Sequence, residues 1–190
     1  DRGGWVTRCD ADGKNWTLLA IGFRNPYDLA VNRTGDIFTF DADMEWDIGT
    51  PWYRPTRVCH VLPGADYGWR SGTGKWPAYF ADSLGPVVNV GVGSPTGISF
   101  AYQAKFPPKY QQALFVGDWS YGNIYTVEMN PDQGSYTGSV KRFLSHQPLP
   151  VCDLTVNPAD GAMYFVTGGR NARSTLYRIT YPNHKPEADT

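Results

Sequence analysis

Asn25-Pro-Tyr-Asp-Leu-Ala-Val-Asn-Arg-Thr-Gly-Asp-Ile-Phe-Thr-Phe-Asp41 sets the architecture of this chain, because its pattern returns twice further along. It returns as Ser94-Pro-Thr-Gly-Ile-Ser-Phe100 continued by Ala113-Leu-Phe-Val-Gly-Asp-Trp119, and again as Pro150-Val-Cys-Asp-Leu-Thr-Val-Asn-Pro-Ala-Asp-Gly-Ala-Met-Tyr-Phe-Val166. Each copy is a proline, a short alternating strand, a turn, and a second strand rich in aromatics. One such unit cannot bury its apolar face alone and must stack on copies of itself. The copies lie roughly 55 to 70 residues apart, wider than the ~40 to 50 of common propeller repeats.

Each pair is followed by a third strand that ends in a polar turn: Arg57-Val-Cys-His-Val-Leu, Ile124-Tyr-Thr-Val-Glu-Met and Leu176-Tyr-Arg-Ile-Thr-Tyr181. A fourth example, Trp5-Val-Thr-Arg-Cys-Asp-Ala-Asp-Gly13, has no first and second strands before it. Fourth strands are predicted at Trp16 to Ala20 and Val140 to Leu144, each reached through a turn containing Gly and Asp. Four antiparallel strands repeated radially make a β-propeller. The expected fold is all-β, a partial arc of about three blades: residues 1–20 end one blade, and 24–75, 94–145 and 150–181 are blades. Residues 182–190 read as a polar linker or tail. Lacking an initial Met and opening inside a strand, the chain reads as part of a longer polypeptide.

The composition agrees with this architecture. Aromatics are 15% of the 190 residues and charged residues only 18%, the balance of a sheet protein with aromatic side chains between layers. A formal net charge of −1 gives no general attraction to phosphate backbones, so nucleic acid is excluded as an expected partner. No apolar run approaches the ~20 residues a membrane span needs. Cys9, Cys59 and Cys152 form no C-x-x-C pair, so there is no haem attachment motif, and they read as small apolar residues in strand patterns. Asn15-Trp-Thr and Asn32-Arg-Thr fit the glycosylation acceptor pattern, a match that arises often by chance.

Candidate chemistry sits at strand entries and in the irregular stretches Met44 to Pro55, Ser71 to Val92 and Tyr102 to Gln112. Arg24-Asn25 precedes a first strand, which lines the channel of a propeller. Residue type leaves two readings open: a fork and an amide for a carboxylate ligand, or a loop tie and a turn cap before Pro26. Asp41-Ala-Asp43-Met-Glu45-Trp-Asp47 places four carboxylates in seven residues, a crowding that favours either a bound cation or a solvated acidic turn. Trp46, Trp52, Trp69, Trp76 and Trp119 lie on or near loops, suited to packing or to stacking on sugar rings. His60 alternates with apolar neighbours as a core-edge residue, and Gly168-Gly-Arg170-Asn-Ala-Arg173 reads as a turn between second and third strands.

Gly22-Phe-Arg-Asn-Pro-Tyr-Asp-Leu-Ala-Val-Asn-Arg-Thr-Gly-Asp-Ile-Phe38 followed by Pro63-Gly-Ala-Asp-Tyr-Gly-Trp69 resembles the glucose/sorbosone dehydrogenase family of six-bladed propellers. Pro148-Leu-Pro-Val-Cys-Asp-Leu154, Asp160-Gly-Ala-Met-Tyr-Phe165, Gly168-Gly-Arg170 and Leu176-Tyr-Arg-Ile-Thr-Tyr181 are similar to a branch of large bacterial proteins, which often have a haem-binding cytochrome domain downstream. The resemblance implies oxidation of a sugar or alcohol by pyrroloquinoline quinone, with calcium polarising the quinone and electrons passing to a cytochrome. It implies a periplasmic or extracellular setting, cofactor contacts from Arg24 and Asn25, and calcium ligands among Asp41, Asp43, Glu45 and Asp47. It also exposes departures: Pro150, Val151 and Cys152 stand where cofactor-binding relatives place cations, and the family's catalytic histidine would lie upstream of Asp1, with none of His60, His146 or His184 in its place. The second expectation is therefore a non-catalytic propeller that binds carbohydrate, metal or a protein partner.

Overall fold

The computed structural model describes residues 3–42, 54–72 and 74–182. The chain opens on β1 (Gly4–Arg8) and β2 (Thr17–Phe23), an antiparallel pair. The second sheet is built from β3 (Leu29–Val31), β4 (Ile37–Asp41) and β5 (Thr56–Val61). Between β5 and the close of that sheet come β6 (Ala65–Asp66), which pairs parallel with β2, and the hairpin β7 (Trp69–Arg70) with β8 (Gly74–Lys75). β9 (Val88–Gly91) then pairs with β5, giving the order β3-β4-β5-β9.

The third sheet holds β10 (Pro95–Phe100), β11 (Leu114–Asp118), β12 (Asn123–Asp132) and β13 (Ser135–Ser145) in sequence order, with the one-turn helix α1 (Pro108–Gln111) between β10 and β11. The fourth holds β14 (Val151–Val156), β15 (Met163–Thr167) and β16 (Thr175–Ile179). Meandering antiparallel sheets in chain order are the blades of a propeller arc, as the repeated phrase implied. Two details differ from the expectation. The second sheet runs past the boundary at residue 75 to take its fourth strand from Val88–Gly91, and the fourth strand placed at Trp16 to Ala20 extends to Phe23.

Side-chain alternation explains why the sheets stack. Successive residues on a strand point to opposite faces, so a blade between two others needs apolar residues on both. On β11, Leu114 and Val116 pack with Phe38, Phe40, Val58 and Ile98 toward the second sheet, while Phe115 packs with Phe106, Val151, Met163 and Phe165 toward the fourth. A third cluster of Val6, Leu19, Phe23, Cys59, Val61 and Tyr67 joins the first sheet to the second. Burying each large side chain contributes about 1.5–3 kcal/mol, so these inter-sheet layers hold the arc. Both ends of the arc leave apolar faces uncovered. Trp5, Leu18, Leu29 and Val31 are exposed at one, and Val166 and Leu176 at the other.

The inner strands approach one another closely. Thr96 donates its hydroxyl to the Val151 carbonyl (2.8 Å), and Asp28 accepts from the Ile98 amide (3.1 Å). Gly97 faces the entry of β14 so tightly that a Cβ there would stand 2.6 Å from Asp153 Cα and 2.8 Å from the Leu154 nitrogen. No helix among the described residues is long and apolar enough to cross a membrane.

Candidate functional site

The starts of β3, β10 and β14 lie on one rim, and the turns leaving β11 and β15 rise beside them. The link is direct: the Trp119 amide, just past β11, donates to the carbonyl of Ser94, just before β10 (2.9 Å). Two depressions open there. One of about 400 Å³ is lined by Arg24, Asn25, Pro26, Tyr27 and Pro95 together with Gly4 and Trp5. The other, of about 520 Å³, lies between the third and fourth sheets against Trp119, Gln147, Pro148, Pro150 and Arg170.

Arg24 and Asn25 owe their placement to a buried ion pair. Asp41, at the end of β4, accepts the backbone amides of both Arg24 and Asn25 on one carboxylate oxygen, each at 2.9 Å. Its other oxygen accepts from Arg57 Nε (3.1 Å) and Nη2 (3.0 Å), and Arg57 also donates to the Tyr67 carbonyl (2.9 Å). Asp41 is fully buried and Arg57 nearly so. Burial opposes the Arg57 charge, but the Asp41 carboxylate favours it by its charge and hydrogen bonds, and the guanidinium pKa is raised. The cation beside Asp41 is therefore Arg57, and each Asp41 oxygen already has two donors. Asn25 presents its amide at the surface, oriented to accept from Arg24 Nη1 (3.2 Å) and donate to the Arg24 carbonyl (2.8 Å).

The same device recurs one blade on. Asp118 closes β11 and accepts the amides of Ser94 (2.8 Å), Ser120 (3.1 Å) and Tyr121 (3.1 Å) and the Asn123 side chain (3.2 Å). On the fourth sheet the corresponding residue is Thr167, and the entry is held by backbone: the Gly168 amide donates to the Pro150 carbonyl (3.1 Å). An aspartate ending two of the three second strands is a signal the sequence did contain. Its meaning, a cap on the next rim loop, needed the tertiary pairing.

The other sequence candidates fall elsewhere. Asp43, Glu45, Asp47, Trp46 and Trp52 lie outside the described residues, and among the described residues no three acidic, cysteine or histidine side chains gather as a metal site. Lys75, which sequence reasoning missed, is buried on β8 and donates to the carbonyls of Ala42 and Pro55, on either side of that undescribed segment. Trp76 packs under the Arg70 guanidinium, 4.4 Å from the ring centre. Cys59 is wholly buried and its thiol is pushed up to about 12, chiefly by that burial. The three cysteines are free.

His60 stacks on Phe38 and joins a polar knot between the second and third sheets, with Nδ1 3.2 Å from Ser135 Oγ and Nε2 3.7 Å from Asp36. Hydrogen bonds from Tyr136, Thr34 and Asn32 hold the Asp36 carboxyl at about 2, and burial lowers the His60 pKa. The Asn32 side-chain nitrogen of the glycosylation-like triplet is engaged in this knot with Asp36 and Tyr136, each at 3.0 Å. Among the described residues, no histidine lines either rim depression.

No family model and no curated protein matches the chain. Solved structures do. A Thermus thermophilus oxidoreductase assigned as a glucose dehydrogenase superposes with a TM-score of 0.66 at 20% identity, over 85% of this chain and 46% of its own. A second glucose dehydrogenase gives 0.66 at 20% identity over 90% of this chain and 49% of its own. The PQQ-bound aldose sugar dehydrogenase of Streptomyces coelicolor gives 0.61 at 15% identity, over 85% and 44%. At these identities the likeness establishes a shared fold. The chain spans about half the length of these structures.

Proposed function

We propose that this chain forms the cofactor-side arc of a quinone-dependent sugar or alcohol dehydrogenase. The observation behind the reading is the Arg24-Asn25 pair, pinned by Asp41 on the rim of a propeller whose fold is shared with a PQQ-bound sugar dehydrogenase. Pyrroloquinoline quinone bears carboxylates, and the rim offers a guanidinium and an amide on a backbone that Asp41 holds in place. When bound, the quinone supplies a two-electron acceptor for a sugar hydroxyl or aldehyde. Arg24 and Asn25 would hold its acidic edge, and their fixed backbone removes much of the ordering cost of binding. Calcium beside the quinone, electron delivery to a cytochrome and a periplasmic or extracellular setting belong to this proposal.

Among the described residues, those lining the two depressions include no histidine to take the hydroxyl proton. That observation, together with Pro150 and Cys152 at the entry of β14, favours a second reading, a propeller that binds carbohydrate without turning it over. Dye reduction by the protein supplied with quinone and calcium, across a panel of sugars and alcohols, separates the two. Turnover on any panel member supports the dehydrogenase; binding without turnover supports the second reading.

A further inference from the structure

We infer that the depression between the third and fourth sheets is a subsite for an acidic sugar, with Arg170 as its carboxylate-reading residue. The inference concerns ligand class on the same rim and stands whether or not a quinone binds beside it.

The first support is the arrangement of Arg170 itself. Its guanidinium lies 5.1 Å from the centre of the Trp119 ring, and among the described residues it makes no ion pair or hydrogen bond. An arginine over an aromatic face is attracted by the ring quadrupole while its N–H groups stay available. Trp119 is fixed in turn, since its Nε1–H donates to the Gly168 carbonyl (2.7 Å). The platform is held in place, and among the described residues the cation on it has no anionic partner.

The second support is the backbone that delivers Arg170. Arg170 and Asn171 adopt φ of +46° and +67°, after Gly168 and Gly169 at +156° and +84°. Consecutive non-glycine residues in the left-handed region are unfavourable, and such geometry persists where the surroundings impose it, often at ligand sites. Here the Gly168–Pro150 and Ala172–Gly169 backbone bonds (3.1 and 2.8 Å) close the turn over the entry of β14.

The third support is the lining. Pro148, Leu149 and Pro150 give an apolar wall, while Gln147, Ser120 and Arg170 give polar groups around it. A pyranose has an apolar C–H face and a rim of hydroxyls, and a uronate adds one carboxylate. An apolar wall, an amide, a hydroxyl and a single cation match that pattern. The volume of about 520 Å³ admits one or two rings, within the ~300–1,000 Å³ usual for small-ligand sites.

The test is equilibrium binding of galacturonate and galactose to the protein without quinone, followed by calorimetry, for the wild type, Arg170→Gln and Arg173→Gln. Arg173 is an exposed cation of the same turn outside the depression, so its variant matches the charge change. Galacturonate is expected to bind more tightly than galactose, with its affinity weakened about ten- to a hundred-fold by Arg170→Gln and little changed by Arg173→Gln. Equal affinity for both sugars, or equal losses in both variants, overturns the assignment. In a separate quinone titration of the same three proteins, an Arg170→Gln protein that keeps its preference for the acidic sugar but loses quinone binding also overturns it, making Arg170 a cofactor contact. Failure of quinone binding in all three proteins touches only the dehydrogenase reading.

Discussion

The entries to the second and fourth sheets perform the same topological task with different chemistry. At the second, rim residues Arg24 and Asn25 hang on a buried Asp41–Arg57 pair, so the cation at the surface belongs to the entry loop itself. At the fourth, the entry loop Leu149-Pro150-Val151 has no charge, and the cation lining the same depression, Arg170, comes from the turn leaving β15. A rim can therefore keep positive charge while the motif that usually supplies it is gone. Scanning one strand entry for arginine finds the first case and misses the second.

Breaking the first entry should cost the most. Arg57→Leu leaves Asp41 buried without its countercharge, a change that costs about 3–5 kcal/mol; denaturant unfolding that shows less than about 1 kcal/mol would mean the pair does not hold the loop. Gly97→Ala strikes the seam between the third and fourth entries, where its Cβ meets the Asp153 and Leu154 backbone. A loss of about 1–3 kcal/mol is expected, again by denaturation, and an unchanged midpoint would show that the inner strands can move apart. Trp119→Phe keeps a ring under Arg170 but removes the bond to the Gly168 carbonyl, for a loss of about 0.5–1.5 kcal/mol; a larger loss would point to packing rather than that bond.

A pH slope from outside the rim is smaller still. Burial lowers the His60 pKa below its ordinary 6.5, so the unfolded chain binds the proton more readily than the folded one. Stability from neutral His60 is present above 6.5 and is lost progressively as pH falls from there to the folded value. Asp36, held at about 2, stays charged throughout that window and tempers the loss. His60→Gln flattens the slope of unfolding free energy between pH 7 and pH 5, roughly the range of an imidazole transition; an unchanged slope would place the titration elsewhere.

Much of the architecture was legible because it is local. The turns Asn32-Arg-Thr-Gly35 and Asn157-Pro-Ala-Asp-Gly161 sit between alternating strands in both the first and last copies, and the paired strands follow directly. Val88–Gly91 was not legible as the close of the second sheet. It is short, it follows a Gly-, Pro- and Trp-rich stretch, and its strand character comes from pairing with β5 some thirty residues earlier. The Tyr102 to Gln112 stretch likewise hides the one-turn helix α1, too short for a periodic signal.

The site divides the same way. Arg24-Asn25 stood out by resemblance, but the reason for their fixed placement lies at Asp41 and Arg57, which only the sheet brings to them. In the sequence Asp41 belongs to an acidic run; in the fold it points inward to a guanidinium, because β4 and β5 pair Asp41 with Arg57. Arg170 read as a turn residue, since nothing local shows that its turn closes over Trp119.

Whether the rim at Arg24 and Asn25 receives an acidic quinone is open to a direct binding measurement. Equilibrium dialysis of the folded protein against pyrroloquinoline quinone, with bound cofactor read by absorbance, tests it on the wild type and Arg24→Gln. The substitution leaves the backbone amides that Asp41 holds in place. Saturable binding to the wild type is expected, weakened about ten-fold or more in the variant. No saturable binding at micromolar quinone, or equal binding by the two proteins, would contradict the proposed role of the rim.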